Sequence, residues 1–232
     1  MTDVEQNLAE IRDRIAAATT RSGRAEADVE LVAVSKTFPA GAVREAWNVG
    51  QTLFGESRVQ EAVAKIPELP GVLRWHFIGH LQKNKIRRAL PLFELFHGVD
   101  SLELARDIDR IAAEEGVFPR VLLEVNVAGE ASKFGFRPDT LERELDALLA
   151  LPRLQIEGLM TIAPYADEPE HSRPFFRELR ELRDRLAASS DTPLTTLSMG
   201  MSGDFEIAIE EGATLVRVGT AIFGSRPKMA AE

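Results

Sequence analysis

The chain has 232 residues, with 28 basic side chains against 37 acidic ones and a formal net charge of −9, which disfavours nucleic-acid binding by charge attraction alone. It has no cysteine, so disulfides and thiolate metal sites are excluded. Hydrophobic residues at 44% and charged residues at 28% fit an ordinary globular protein with a sizeable core, and no apolar run approaches the ~20 residues that cross a bilayer. The polar stretch 1–8 is unlike an apolar signal peptide, so a reducing cytoplasm is the expected compartment.

Residues 1–22 read as a leading amphipathic helix, with Val4, Leu8, Ile11 and Ile15 at three- and four-residue steps, packed on the outside of the body. Short β-branched runs then follow at 31–36, 52–56, 75–79, 93–100, 121–127, 156–162, 196–201 and 215–222. Helical stretches separate them, notably 101–115 with Leu102, Leu104, Ala105, Ile108 and Ile111, and 174–188 with Phe175, Phe176, Leu179, Leu182 and Leu186. Strand–helix alternation implies parallel strands with right-handed crossovers, and eight strands close a barrel. The expected architecture is therefore α/β, a single (β/α)8 TIM barrel over 1–232 with an extra N-terminal helix. An open doubly wound sheet is the alternative, weakened by the lack of a Gly-x-Gly-x-x-Gly turn after the first strand. No linker rich in Pro, Gly or Ser divides the chain.

Barrel chemistry sits at the C-terminal ends of the strands. Lys36 ends the first apolar run, with its stem expected against Val32 and Val34; partial burial would lower its pKa and favour the neutral amine that attacks a carbonyl. The competing reading is a snorkelling or ion-paired lysine. In loops seven and eight, Ser198-Met199-Gly200-Met201-Ser202-Gly203-Asp204 and Arg217-Val218-Gly219-Thr220 offer backbone N–H groups and hydroxyls to an oxyanion, where barrels commonly bind phosphate; two ordinary tight turns are the plainer reading. Arg217 lies in an apolar strand and needs an acceptor: either a carboxylate such as Glu124, as a structural ion pair, or a ligand atom such as a pyridine nitrogen. Asn126, two residues beyond Glu124, would face the same interior or be a satisfied core amide.

Other signals are weaker. His76 and His80 have a helical metal spacing on what reads as a strand, where it does not converge, so no metal is expected. Lys83, Lys85, Arg87 and Arg88 make a basic face that could meet RNA phosphates but fits a solvated surface better. Trp47 and Trp75, not interleaved with basic residues, are expected in the core.

Val34-Ser35-Lys36-Thr37, Phe54-Gly55-Glu56, the run from Trp75 through His80 to Lys85, and the loop seven and eight segments in their order and spacing resemble the pyridoxal phosphate homeostasis proteins, the YggS/PROSC family, over nearly the whole chain. The resemblance implies a barrel similar to the N-terminal barrel of alanine racemase and to the fold type III decarboxylases. It implies pyridoxal 5′-phosphate as cofactor, held as a Schiff base on Lys36. Ser202, Gly219 and Thr220 would hold its phosphate, with Gly203 and Ser198 nearby. Arg217 would face the pyridine nitrogen, and Asn126, Met160 and His80 would line the pocket. The family often has Asn after Phe-Gly-Glu, whereas Ser57 and Arg58 follow here, so a contact made by that amide has no counterpart in this chain.

The implied function is a non-catalytic, monomeric carrier that buffers the cofactor and delivers it to apo-enzymes. A fold type III amino-acid racemase or decarboxylase is the alternative. Two-base racemisation needs an acid/base on each substrate face; racemases of this type take one from a tyrosine in an added β domain, and the single tyrosine here is Tyr165. An arginine facing the pyridine nitrogen would also keep it unprotonated and weaken the ring as an electron sink. An RNA-binding accessory protein acting through residues 83–88 is a third class, poorly supported by the charge balance.

Overall fold

Each of the eight β-branched runs carries a strand in the computed structural model, which describes residues 2–130 and 133–224. They are β1 (Glu30–Val34), β2 (Leu53–Glu56), β3 (Arg74–Phe77), β4 (Leu95–Val99), β5 (Arg120–Glu124), β6 (Gln155–Met160), β7 (Thr196–Ser198) and β8 (Leu215–Val218). All pair in parallel in sequence order, and β8 returns to β1 to close a barrel, which removes the open-sheet alternative. Most strands are shorter than the apolar runs that predict them, because the C-terminal residues of those runs leave the ladder and form the loops at the barrel mouth.

The connecting helices are α1 (Asp3–Arg21), α2 (Ala40–Asn48), α3 (Val59–Lys65), α4 (Ile86–Ala89), α5 (Leu102–Glu115), α6 (Pro138–Leu149), α7 (Arg173–Ser190), α8 (Phe205–Glu210) and α9 (Thr220–Phe223). Helix α1 starts where the Thr2 hydroxyl accepts the Glu5 N–H, and Met1 lies outside the described residues. It buries Val4, Leu8, Ile11 and Ile15 against the outer layer, packing on α2, α8 and α9, and Asn7 Nδ2 donates to Ile222 O at 2.9 Å. Helix α5 follows its sequence signals closely: Ser101 accepts the Leu104 N–H and Gly116 ends the helix at φ 70°, a left-handed conformation that glycine adopts without Cβ strain. Among the described residues, no helix is long and apolar enough to cross a membrane.

The main core lies between barrel and helices, while Val32, Leu53, Leu95, Leu122, Met160 and Leu215 fill the inside. Each such side chain contributes about 1.5–3 kcal/mol of transfer free energy on full burial. At the floor, where the strands begin, Arg74 pairs with Glu30 and Glu94, and Arg120 with Glu94 and Glu157. Hydrogen bonds from Arg74 first, and its charge, hold Glu94 down to about 2.

Two expectations are resolved at the surface. Trp75 is buried, but Trp47 stands at the C-terminal end of α2 on its solvent side and is exposed, so only the first belongs to the core. The basic stretch is partly neutralised by α5: Lys83 pairs with Asp107 at 2.8 Å, and Arg87 pairs with Glu114 and Glu115.

Candidate functional site

Loops seven and eight meet on one atom. The hydroxyl oxygen of Ser202 receives the Gly219 N–H at 3.3 Å, the Ala221 N–H at 3.4 Å and the Thr220 hydroxyl at 3.2 Å. Three donors from one short segment thus converge on a single oxygen, which is the arrangement an oxyanion requires. Gly219 is also closely packed: a Cβ there would sit 3.3 Å from both Cβ and O of Val34, at the end of β1. Gly203, in the same loop as Ser202, borders an opening of about 430 Å³ at the mouth, with Lys133, Ile162, Tyr165 and Met201 on its other sides.

The pairing of β1 with β8 brings Lys36 to this cradle. Ala33 pairs with Val218, so the chain leaves β1 beside the loop that carries Gly219 and Thr220. Lys36 does not end the strand as the sequence suggests: β1 stops at Val34, and Lys36 stands half-buried in the turn that follows. That turn is braced from below. Lys65 Nζ donates to Ser35 O at 2.9 Å and to Glu56 Oε1 at 2.7 Å, and the Ser35 hydroxyl donates to the same carboxylate oxygen at 2.7 Å. Thr37 adopts φ 70°, an unfavourable left-handed conformation for a β-branched residue, and its N–H is held by Glu61 Oε2 at 3.0 Å.

Arg217 enters the barrel interior from β8, where it is buried and donates to Ser198 Oγ and, at 2.9 Å, to Thr161 O. Burial pulls its pKa down to about 10, against the fields of Glu124 and Asp204. Among the described residues no ion pair joins Arg217 to Glu124, so of the two acceptors that the sequence left open the direct carboxylate is not the one used. Glu124 itself is buried; burial first, and then the charge of Asp100, push its carboxyl up to about 7. Ser198, expected near the phosphate, turns its hydroxyl inward instead, to Arg217 and to His97 Nδ1 at 2.9 Å.

The remaining residues stand at different heights. Met160 ends β6 and belongs to the inner filling. Asn126 lies beyond the end of β5, and its amide is satisfied by its own loop: Nδ2 donates to Glu130 O and Lys133 O, and Oδ1 accepts the Glu130 N–H. His80 sits on the rim, with Nδ1 2.8 Å from Asp100 Oδ2 and its ring stacked on Phe134 at 3.9 Å. His76 is in the core, so it and His80 do not converge, and among the described residues no group of three or more His, Asp or Glu could hold a metal ion.

Sequence reasoning missed Lys65, Glu61 and His97. Glu56 stood in a recognised segment without a role, while Lys65, on a helix remote from the strand ends, carried no local signal. His97 lies in an apolar run and gives no sign that its partners are 21 and 101 residues away.

The alanine racemase N-terminal domain model matches residues 6–227. A pyridoxal phosphate homeostasis protein of Aquifex aeolicus is 46% identical over 222 residues, covering 95% of this chain and 97% of that protein. The structure of PipY from Synechococcus elongatus with PLP bound superposes with a TM-score of 0.83 at 41% identity, covering 95% of this chain and all of that one. An alanine racemase of Clostridium difficile shares the fold alone, with a TM-score of 0.73 at 18% identity, and this chain covers 57% of its length. From the closed barrel and these matches along nearly its whole length, the chain belongs to the alanine racemase N-terminal domain family, and within it to the pyridoxal phosphate homeostasis proteins.

Proposed function

We propose that this protein binds pyridoxal 5′-phosphate on Lys36 and keeps it in reserve for apo-enzymes in the cytoplasm, as a single-domain monomer, without turning over a substrate. The observation that carries the reading is the convergence of the Gly219 and Ala221 N–H groups and the Thr220 hydroxyl on Ser202 Oγ, beside the turn that presents Lys36. When bound, the cofactor would supply an aldehyde able to react with a lysine amine, and Lys36 would be that lysine. Thr220, Ser202 and Gly219 would hold the phosphate, with Gly203 leaving room beside them. Arg217, fixed by Ser198 and Thr161, would face the ring nitrogen as a donor, with Met160 beneath. His80 and the loop pinned by Asn126 would form the rim.

The carrier role is supported by Arg217 in the barrel interior and by Tyr165 at the mouth. A cationic guanidinium at the ring nitrogen would keep that nitrogen unprotonated and lower the capacity of the ring to hold carbanion charge. Tyr165 is 93% exposed on the mouth loop, where packing does not fix it as a second base. The relative named for homeostasis is matched over 97% of its length.

The test is to incubate the loaded protein with each L-amino acid in deuterium oxide and to follow α-proton exchange, chirality and carbon dioxide release against free pyridoxal phosphate. Rates close to that control are expected. Multiple turnover approaching the ~10 per second of ordinary enzymes, lost in Lys36→Ala, would overturn the carrier reading and establish a racemase or decarboxylase.

A further inference from the structure

A line of polar side chains crosses the apolar interior of the barrel. Arg217 donates to Ser198 Oγ, that oxygen lies 2.9 Å from His97 Nδ1, and His97 Nε2 lies 3.0 Å from His76 Nδ1. The four come from β8, β7, β4 and β3, and all are buried. The far end reaches the floor, where His76 borders an opening of about 220 Å³ that Arg74, Arg120, Glu30 and Glu157 also line. His76 Nε2 is buried there without a partner among the described residues. Buried polar groups on this scale weaken a barrel core unless each is satisfied, so the arrangement calls for a role beyond packing.

We propose that His97 and His76 are positioning residues: with Ser198 they form a one-directional hydrogen-bond relay that holds Arg217 toward the ring nitrogen of the bound cofactor. The proposal rests on the placement of that ring against Arg217 given above. Its direction follows from counting protons. A guanidinium has donors only, so the Ser198 oxygen accepts from Arg217. The single Ser198 proton then goes to His97 Nδ1; were Nδ1 the donor instead, that hydroxyl proton would have no acceptor among the described residues. His97 consequently carries its proton on Nε2 and gives it to His76 Nδ1, and His76 presents an Nε2–H to the floor. On that side His76 meets the charge of Glu94 and the opposing charges of Arg74 and Arg120, so the direction of the relay rests on the proton count alone.

Such a relay needs both rings neutral, one donor and one acceptor each. Burial accounts for this, pulling His76 down to about 4 and His97 well below the ordinary histidine range. Donation in a single sense lets each bond polarise the next. With two guanidinium N–H groups fixed on Ser198 and Thr161, the orientation of the others is set before the cofactor arrives.

Long-range proton–nitrogen spectra of protein labelled with 15N-histidine read the tautomers directly. Both buried rings are expected as Nε2–H forms, and an Nδ1–H form of either overturns the relay. The second measurement uses protein loaded with ring-15N pyridoxal phosphate. His97→Phe and His76→Phe are expected to move the bound ring-nitrogen signal and the visible absorption band and to weaken binding about tenfold. Leu95→Val, an apolar disturbance in the same interior, should move neither spectrum. Wild-type spectra in either folded Phe variant, with Arg217→Met shifted, would overturn the relay alone. Wild-type spectra in Arg217→Met as well would overturn the placement of the ring. Should both Phe variants fail to fold, the tautomers decide.

Discussion

The Lys65 ammonium donates to the Ser35 carbonyl oxygen 2.9 Å away, so a buried cation on α3 fixes the residue that immediately precedes Lys36. Its counterion, Glu56, is fully buried, and burial pushes that carboxyl above the ordinary range against the pull of Lys65. Removing one partner of a buried pair leaves the other charge uncompensated, at a cost of about 3–5 kcal/mol. Lys65→Met should lose that much stability in urea titrations, and Lys65→Met/Glu56→Gln should recover most of it. A loss below about 1 kcal/mol in the single variant would show that the brace is weak.

Borohydride treatment of the loaded protein should fix the chromophore on Lys36, and Lys36→Ala should take up no covalent label while keeping the fold. Peptide mass mapping reads the position. Label on Lys65 or Lys133 instead would move the site away from the β1 turn.

Ser202→Ala and Thr220→Ala each remove a hydroxyl from the loop seven and eight cradle. A charge-assisted bond to a phosphate is worth ~1.5–3 kcal/mol, so each change should weaken retention of pyridoxal phosphate about ten- to hundredfold without unfolding the barrel. The check is equilibrium dialysis with circular dichroism on the same samples; unchanged dissociation constants in both would refute the phosphate assignment.

Glu124 makes stability depend on pH in a defined sense. Its carboxyl is raised to about 7 in the folded protein, chiefly by burial and then by Asp100. A group that binds its proton more tightly when folded contributes most below its unfolded pKa of about 4.3, and that contribution is lost as pH rises to the folded value. Wild type should therefore lose up to about 4 kcal/mol relative to Glu124→Gln between about pH 4.3 and 7, with the difference constant above. Parallel pH profiles for the two proteins would contradict the burial argument.

The barrel was readable because its signal is local and repeated: β-branched runs between helical ones, and an N-terminal helix whose apolar stripe is buried as spaced. Lys36 and the two glycine-containing turns were readable for a similar reason, since the ends of strands place them. What surrounds them was not. Glu61 reaches Thr37 across 24 positions and Lys65 reaches Ser35 across 30, and no short-range pattern encodes such a meeting. Asn126 borders the same opening as Glu124, but the loop that satisfies its amide, through Glu130 and Lys133, is not encoded in the strand pattern. His97 stayed hidden because a histidine in an apolar run looks the same whether it is isolated or joined to Ser198 and His76.

The seam between β1 and β8 also sets a timetable. Lys36 leaves the ribosome early and Thr220 late, and the four registered pairs from Glu30–Leu215 to Ala33–Val218 form only when both have emerged. Contacts so distant in sequence are slow to form, and here they are what brings the lysine to the anion cradle. A nascent chain that has exposed only its first strands therefore has the β1 turn without the β8 loop that comes to lie beside it.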